Sequence, residues 1–125
     1  MRIAIVDDDP IVCQSLETIL TATGTADVLW SANDGGAAIR RHFESPENHP
    51  DILLIDIQMP GMNGLDLLKH IKILAPETEV ILISGHADLE MAIQGLKLEA
   101  SDFITKPIDD DLLHISLKRA LERIA

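Results

Sequence analysis

Short runs of branched apolar residues recur along the chain at Ile3 to Val6, Asp27 to Trp30, Ile52 to Ile55, Val80 to Ile83 and Phe103 to Ile104. Their length and composition predict five β-strands. Between and after them the apolar positions fall three or four apart: Val12, Leu16, Ile19 and Leu20; Ala37, Ala38 and Phe43; Leu67, Leu68, Ile71 and Leu74; Leu89, Ala92, Ile93 and Leu96; Leu113, Leu117, Ala120, Leu121 and Ile124. That period predicts five helices, each burying one stripe. End signals agree, since Asp9 before Pro10 is an N-cap with proline at the first helical position. Pro107 followed by Asp109, Asp110 and Asp111 opens the last helix with negative charge at its positive end.

Strand and helix alternate five times, and Ile-Leu-Leu-Ile at 52 to 55 and Val-Ile-Leu-Ile at 80 to 83 are apolar without a break. Continuous apolar strands suit a sheet covered on both faces, so the pattern predicts an α/β fold. The expected architecture is a single doubly wound (βα)5 domain over residues 1–125, with a five-stranded parallel sheet in the flavodoxin-like order 2-1-3-4-5. The segment from Ser45 to Pro50 reads as a polar loop.

Charge narrows the partners. With 21 acidic and 10 basic residues the formal balance is −11, opposite to the basic footprint that binds phosphate backbones, so no direct nucleic-acid binding by this segment is expected. The single Cys13 cannot form an internal disulfide, and no apolar run long enough for a membrane span stands out; a cytoplasmic setting with no membrane contact is the expectation. Cys13 lies in an apolar helical pattern and reads as a small core residue.

Ligands of such sheets bind outside the carboxyl ends of the strands. Asp7 and Asp8 follow the first strand, Asp56 the third, Ser84 the fourth, and Lys106 with Pro107 the fifth. Adjacent strands lie about 4.8 Å apart, so in the order 2-1-3-4-5 three carboxylates, a hydroxyl and an ammonium share one rim. Each has a bland reading alone: Asp9 as a cap, Asp7 or Asp8 as loop polarity, Ser84 as a helix cap, Lys106 as a solvated charge. Their joint placement at strand ends points to chemistry. Clustered carboxylates repel and need a cation, and Mg²⁺, a hard ion that takes one or two carboxylates, waters and phosphate oxygens, suits them; Mn²⁺ could substitute. A carboxylate beside Mg²⁺ is a nucleophile toward a phosphoryl donor, with Lys106 and the Ser84 hydroxyl left to neutralise the phosphoryl oxygens.

Ile-Val-Asp-Asp-Asp-Pro at 5 to 10, Leu-Ile-Asp-Ile-Gln-Met-Pro-Gly-Met-Asn-Gly at 54 to 64, Ile-Ser-Gly-His-Ala at 83 to 87 and Asp-Phe-Ile-Thr-Lys-Pro at 102 to 107 together resemble the bacterial two-component response-regulator receiver domain, over essentially the whole chain. The resemblance implies that Asp56 is the phosphoacceptor, that Asp8, Asp56 and the main-chain carbonyl of Gln58 hold Mg²⁺, and that Asp7 supports the ion through water. It implies a phosphoryl contact from Lys106, a cis bond from Lys106 to Pro107, and a switch pair of Ser84 and Phe103. Without a phenolic hydroxyl, Phe103 would switch by packing alone. It implies that Gln58 and His86, neither acidic, tune the lifetime of the phosphorylated state. The donor would be a sensor histidine kinase or phosphotransfer protein. The module would not be an enzyme with its own substrate turnover.

The resemblance also implies an output face on helix four, strand five and helix five, for an effector or a homodimer partner. Met91 and Leu98 lie off the apolar stripe of helix four, and Leu112 and Ile115 are extra apolar positions on helix five, so these four are the expected contacts. A haloacid-dehalogenase-type hydrolase would need a second Asp where Gln58 stands. A flavin-binding module would need a hydroxyl- and glycine-rich loop where Asp7 and Asp8 stand, and a degenerate receiver would lack one of the phosphorylation residues. Ending straight after helix five fits either a stand-alone regulator or the receiver of a longer protein.

Overall fold

The computed structural model describes residues 1–22, Gly24 and 26–124, with the side chain of His86 excepted. Among the described residues, β1 (Arg2–Val6), β2 (Asp27–Ala32), β3 (Ile52–Asp56), β4 (Glu79–Ser84) and β5 (Asp102–Thr105) alternate with α1 (Pro10–Ala22), α2 (Gly35–Glu44), α3 (Gly64–Leu74), α4 (Leu89–Lys97) and α5 (Asp110–Ile124). The strands form one parallel sheet in the order β2-β1-β3-β4-β5, as the alternation predicts.

Strand residues alternate between two cores because successive side chains point to opposite faces. Ala4, Val6, Leu53, Ile55, Val80 and Leu82 pack with residues of α2, α3 and α4, such as Ala38, Leu67, Ile71 and Ala92. Ile3, Ile5, Ile52, Leu54, Ile81 and Ile83 pack with Leu16 and Leu20 of α1 and Leu113 and Leu117 of α5. Each such fully buried aliphatic side chain stabilises the fold by about 1.5–3 kcal/mol, so the strand ends are held on a rigid frame.

Four helix faces differ from the sequence pattern, and in α3 the departure is confined to Leu74, which is 43% exposed. In α2 the inward residue after Ala38 is His42, stacked on His49 at 4.0 Å, while Phe43 is 53% exposed. Four residues on from Ala38 lies the same helix face and five does not. Burial, with His49 alongside, lowers the pKa of His42. In α4 only Ala92 of the expected stripe is buried: Leu89 and Ile93 are 50% and 45% exposed and Leu96 also faces out, whereas Gly95 is buried and Met91 and Leu98 pack partly against the core. At Gly95 a Cβ would overlap the side chain of Leu82, so only small residues let α4 approach the sheet. Large residues therefore mark its outer face. In α5, Leu121 and Ile124 are exposed, and Ser116 takes an inward place. Pro46–Asn48, inside the segment expected to be a loop, forms a 3₁₀ turn.

Candidate functional site

Parallel register places the chemistry at one level. Val6 pairs with Ile55, Asp56 with Ile83 and Ser84 with Thr105, so Asp7, Asp56, Ser84 and Lys106 stand at adjacent strand ends. Hydrogen bonds extend the ladder past the strands: Asp7 N donates to Ala32 O at 3.1 Å, Ile57 N to Ile83 O at 3.0 Å, and Lys106 N to Ser84 O at 2.8 Å. The peptide bond between Lys106 and Pro107 is cis.

Local turns aim each group. Asp9 Oδ1 accepts from Ile11 N at 2.9 Å and so starts α1, while Asp7 Oδ1 accepts from Asp9 N at 2.9 Å, fixing the first carboxylate at the rim. Just past β2 the Asn33 side-chain amide donates to the Asp7 carbonyl at 2.9 Å. Behind Asp56, Asn63 and Asp66 cap α3 reciprocally. Gly64 donates to Ile57 O at 2.8 Å, and any Cβ there would lie 2.5 Å from the Asp56 carbonyl oxygen. Gly61, at φ +75°, makes the turn between them.

The result is an acidic nest with one cation. Asp7 and Asp56 are buried and Asp8 is exposed, and one oxygen from each lies within 4.8 Å of the others. Lys106 Nζ stands 3.3 Å from Asp7 Oδ2 and 3.6 Å from Asp56 Oδ1. The first contact is an ion pair without good hydrogen-bond geometry, and Asp7 Oδ2 has no other partner. Ser84 is fully buried and its Oγ has no hydrogen-bond partner among the described residues.

Electrostatics show how far this nest is from balance. Burial, reinforced by Asp7, pushes Asp56 up to about 7 against the opposing pull of Lys106. Burial likewise raises Asp7. Burial alone would lower Lys106, but the two carboxylates beside it hold its ammonium above the usual lysine range. One ammonium does not neutralise three carboxylates, and a divalent cation at this rim would relieve the repulsion. Cys13, whose thiol is pushed up to about 11 by burial and by Asp7, is protonated and inert.

A family model, response regulator receiver domain, matches residues 3–118. The chain belongs to the response regulator receiver domain family. This receiver is 36% identical over 121 residues to the regulatory protein AtoC of Escherichia coli, covering 97% of the chain and 25% of the relative. It is 33% identical over 120 residues to the transcriptional regulatory protein FixJ of Rhizobium meliloti, covering 96% and 56%. The receiver thus spans between a quarter and somewhat over half of these relatives. A response regulator receiver domain protein from Clostridium thermocellum superposes with a TM-score of 0.89 at 31% identity, over 98% of this chain and 94% of that one. No helix among the described residues is long and apolar enough to cross a membrane.

The residues singled out in the sequence do not all meet. Asp7, Asp8, Asp56 and Lys106 converge, and Ser84 ends the neighbouring strand. Phe103 is half-buried on β5 against the α3/α4-side core. Gln58 is exposed, and its side chain turns toward α4: Nε2 donates to Asp88 Oδ1 at 2.7 Å and reaches Met91 Sδ at 3.5 Å. The His86 side chain lies outside the described residues. Asp88 and Asn33 escaped the sequence reading. Asp88, three residues after Gly85, fits a local capping pattern that could have flagged it; nothing local marks Asn33, whose partner Asp7 lies 26 residues away, just past β1.

Proposed function

We propose that this receiver accepts a phosphoryl group on Asp56 in a Mg²⁺-dependent reaction and relays its arrival through the α4-β5-α5 surface. The observation that carries the reading is the convergence of three carboxylates within 4.8 Å, with Lys106 reaching both Asp7 and Asp56. Asp8, Asp56 and the Gln58 main-chain carbonyl would hold the ion, and Asp7 would support it through water. Mn²⁺ would serve in its place. When bound, the ion neutralises the rim and a phosphoryl oxygen.

An Asp56 oxygen attacks phosphorus in line as the bond to the donor breaks, and the donor keeps the electron pair. For a phosphohistidine donor the freed ring nitrogen takes up the charge or a proton. Lys106 faces a phosphoryl oxygen as a fixed point charge. Ser84, whose hydroxyl lacks any partner here, gains one in a phosphoryl oxygen, and Phe103 repacks beside it. Gln58 and His86 set how readily water reaches the phosphoryl group. The donor is a sensor histidine kinase or a phosphotransfer protein, the setting cytoplasmic, and residues 1–125 act as one domain that neither binds nucleic acid directly nor turns over a substrate of its own.

The output surface is apolar. Leu89, Ile93 and Leu96 of α4 and Leu112 and Ile115 of α5 are exposed on it, more than singly scattered residues require. It suits an effector or a second copy of the receiver. The decisive experiment is uptake of phosphoryl label from a small acyl phosphate with Mg²⁺. Native protein incorporates label and Asp56→Ala does not; equal incorporation by both, or none by native protein, defeats the proposal.

A further inference from the structure

Asp88 is a buried carboxylate, 8% exposed, that no step above uses. A carboxylate in that setting needs hydrogen-bond donors, and its two oxygens take them from two different loops. Oδ1 accepts from Gln58 Nε2 at 2.7 Å, in the segment two residues beyond Asp56. Oδ2 accepts from Gly85 N at 3.1 Å, the residue next to Ser84, and Asp88 N returns a bond to Gly85 O at 3.1 Å. The turn from Gly85 to Asp88 is thus closed on itself and pinned by one side chain to the loop after the acceptor. Gln58 is pinned in turn. Its two N–H donors are spent on Asp88 and on Met91 Sδ of α4.

From this geometry we infer that Asp88 is a positioning residue that locks the Ser84–Gly85 segment to Gln58 and so opposes the rearrangement that a phosphoryl group on Asp56 demands. The inference rests on the phosphoacceptor reading above and adds to it the side chain that sets the threshold. Ser84 Oγ has no hydrogen-bond partner among the described residues, so a phosphoryl oxygen offers it one, and any shift of Ser84 toward it pulls on Gly85 and through Asp88 on Gln58. The element beyond the turn resists little. Its fully buried residues are Ala92 and Gly95, with Met91 and Leu98 only partly covered, a lighter anchor than the fully buried Leu67, Leu68 and Ile71 of α3. The Asp88 bonds are therefore a large share of what holds the start of α4 in place, and by reciprocity a contact that favours the phosphoryl-free arrangement weakens phosphoryl binding.

The test compares native protein with Asp88→Ala, Gln58→Ala and the double variant. Gln58→Ala cuts the same bond from an exposed residue and covers the case in which Asp88→Ala fails to fold. In phosphoryl-free protein, NMR should show the Gly85 amide exchanging about tenfold faster in Asp88→Ala, a loss of about 1.4 kcal/mol for the bond it donates to Asp88 Oδ2. The Gln58 side-chain amide should shift in the same variant. Titrated with beryllofluoride and Mg²⁺, a phosphoryl mimic, either single variant should half-saturate at a concentration about fivefold to tenfold lower than native, and the double variant no lower than Asp88→Ala alone. If native protein responds to beryllofluoride but Asp88→Ala half-saturates with it, or if the single effects simply multiply in the double variant, Asp88 is only a cap and the inference is wrong. If native protein shows no response, the phosphoacceptor reading falls and takes the inference with it.

Discussion

Lys106 donates its backbone N–H to the carbonyl of Ser84 at 2.8 Å. The cation that faces Asp56 and the hydroxyl that lacks a partner are thereby tied through main chain, and a displacement of one strand end is felt at the other. Their side chains carry separable roles. Ser84→Ala deletes a buried hydroxyl that has no hydrogen bond, so the resting protein should be as stable as native or more stable, by up to about 1–3 kcal/mol. Its phosphoryl-linked shifts in α4 and β5 should shrink. Lys106→Ala should lower phosphoryl uptake by about 10²-fold, the cost of losing one aligned cationic or hydrogen-bonding partner. Urea denaturation with single-turnover labelling measures both.

Metal-free protein should lose stability as pH rises from about 4 to about 7. The folded state keeps a proton on Asp56 up to about 7, whereas the unfolded chain releases it near the ordinary aspartate value of 3.8. Between those values the folded state binds more protons, so the slope of stability with pH is negative. The contribution is complete below the unfolded value and gone above the folded one. Asp56→Asn should flatten the curve, and saturating Mg²⁺ at pH 7.5 should raise the stability of native protein but change the variant far less. Denaturation midpoints at pH 5 and 7.5, with chelator and with Mg²⁺, decide the matter.

Gly64→Ala should destabilise the fold by about 1–3 kcal/mol, the usual cost of overpacking. The added Cβ meets backbone, the Asp56 carbonyl oxygen at 2.5 Å and Ile57 Cα at 2.6 Å, so relief requires moving α3 or the acceptor itself. Phosphoryl uptake should therefore fall with stability, whereas Gly36→Ala, where the nearest atoms are flexible side-chain ends at 3.4 Å or more, should leave uptake unchanged.

Charge on the outer face of α4 should separate association from folding. Ile93→Glu and Leu89→Glu alter exposed residues and should abolish phosphoryl-linked self-association at nearly native stability. Met91→Glu forces a charge against the core that Met91 partly covers and should destabilise the protein instead. Sedimentation equilibrium with and without beryllofluoride checks the first expectation, and thermal unfolding the second.

These variants also mark where sequence reading stopped. The five strands and five helices, and the carboxylates, hydroxyl and lysine at the strand ends, were legible because each is a local signal: an unbroken apolar run, a three-to-four spacing, a polar residue just after a strand. The orientation of α4 was not. Periodicity marks which residues share a helix face, and whether that face turns inward depends on how close the helix must come. At Gly95 the sheet comes so close that only small side chains fit, and Leu89 and Ile93 were left outside. His42 rather than Phe43 took the inward side of α2 because it lies four residues on from Ala38, and it stacks there on His49 just past the helix end.

What the sequence determined by itself is the alternation of elements and the list of reactive groups, since both follow from neighbours within a few residues. Only the tertiary structure decided that Lys106 reaches Asp7 and Asp56 together, that the Ser84 hydroxyl is sealed without a partner, and that Gln58 is held by Asp88. The Lys106 and Gln58 contacts join residues 30 or more positions apart, and they, like the sealing of Ser84, are set by sheet register and by the packing of helices on its faces, which local spacing does not encode.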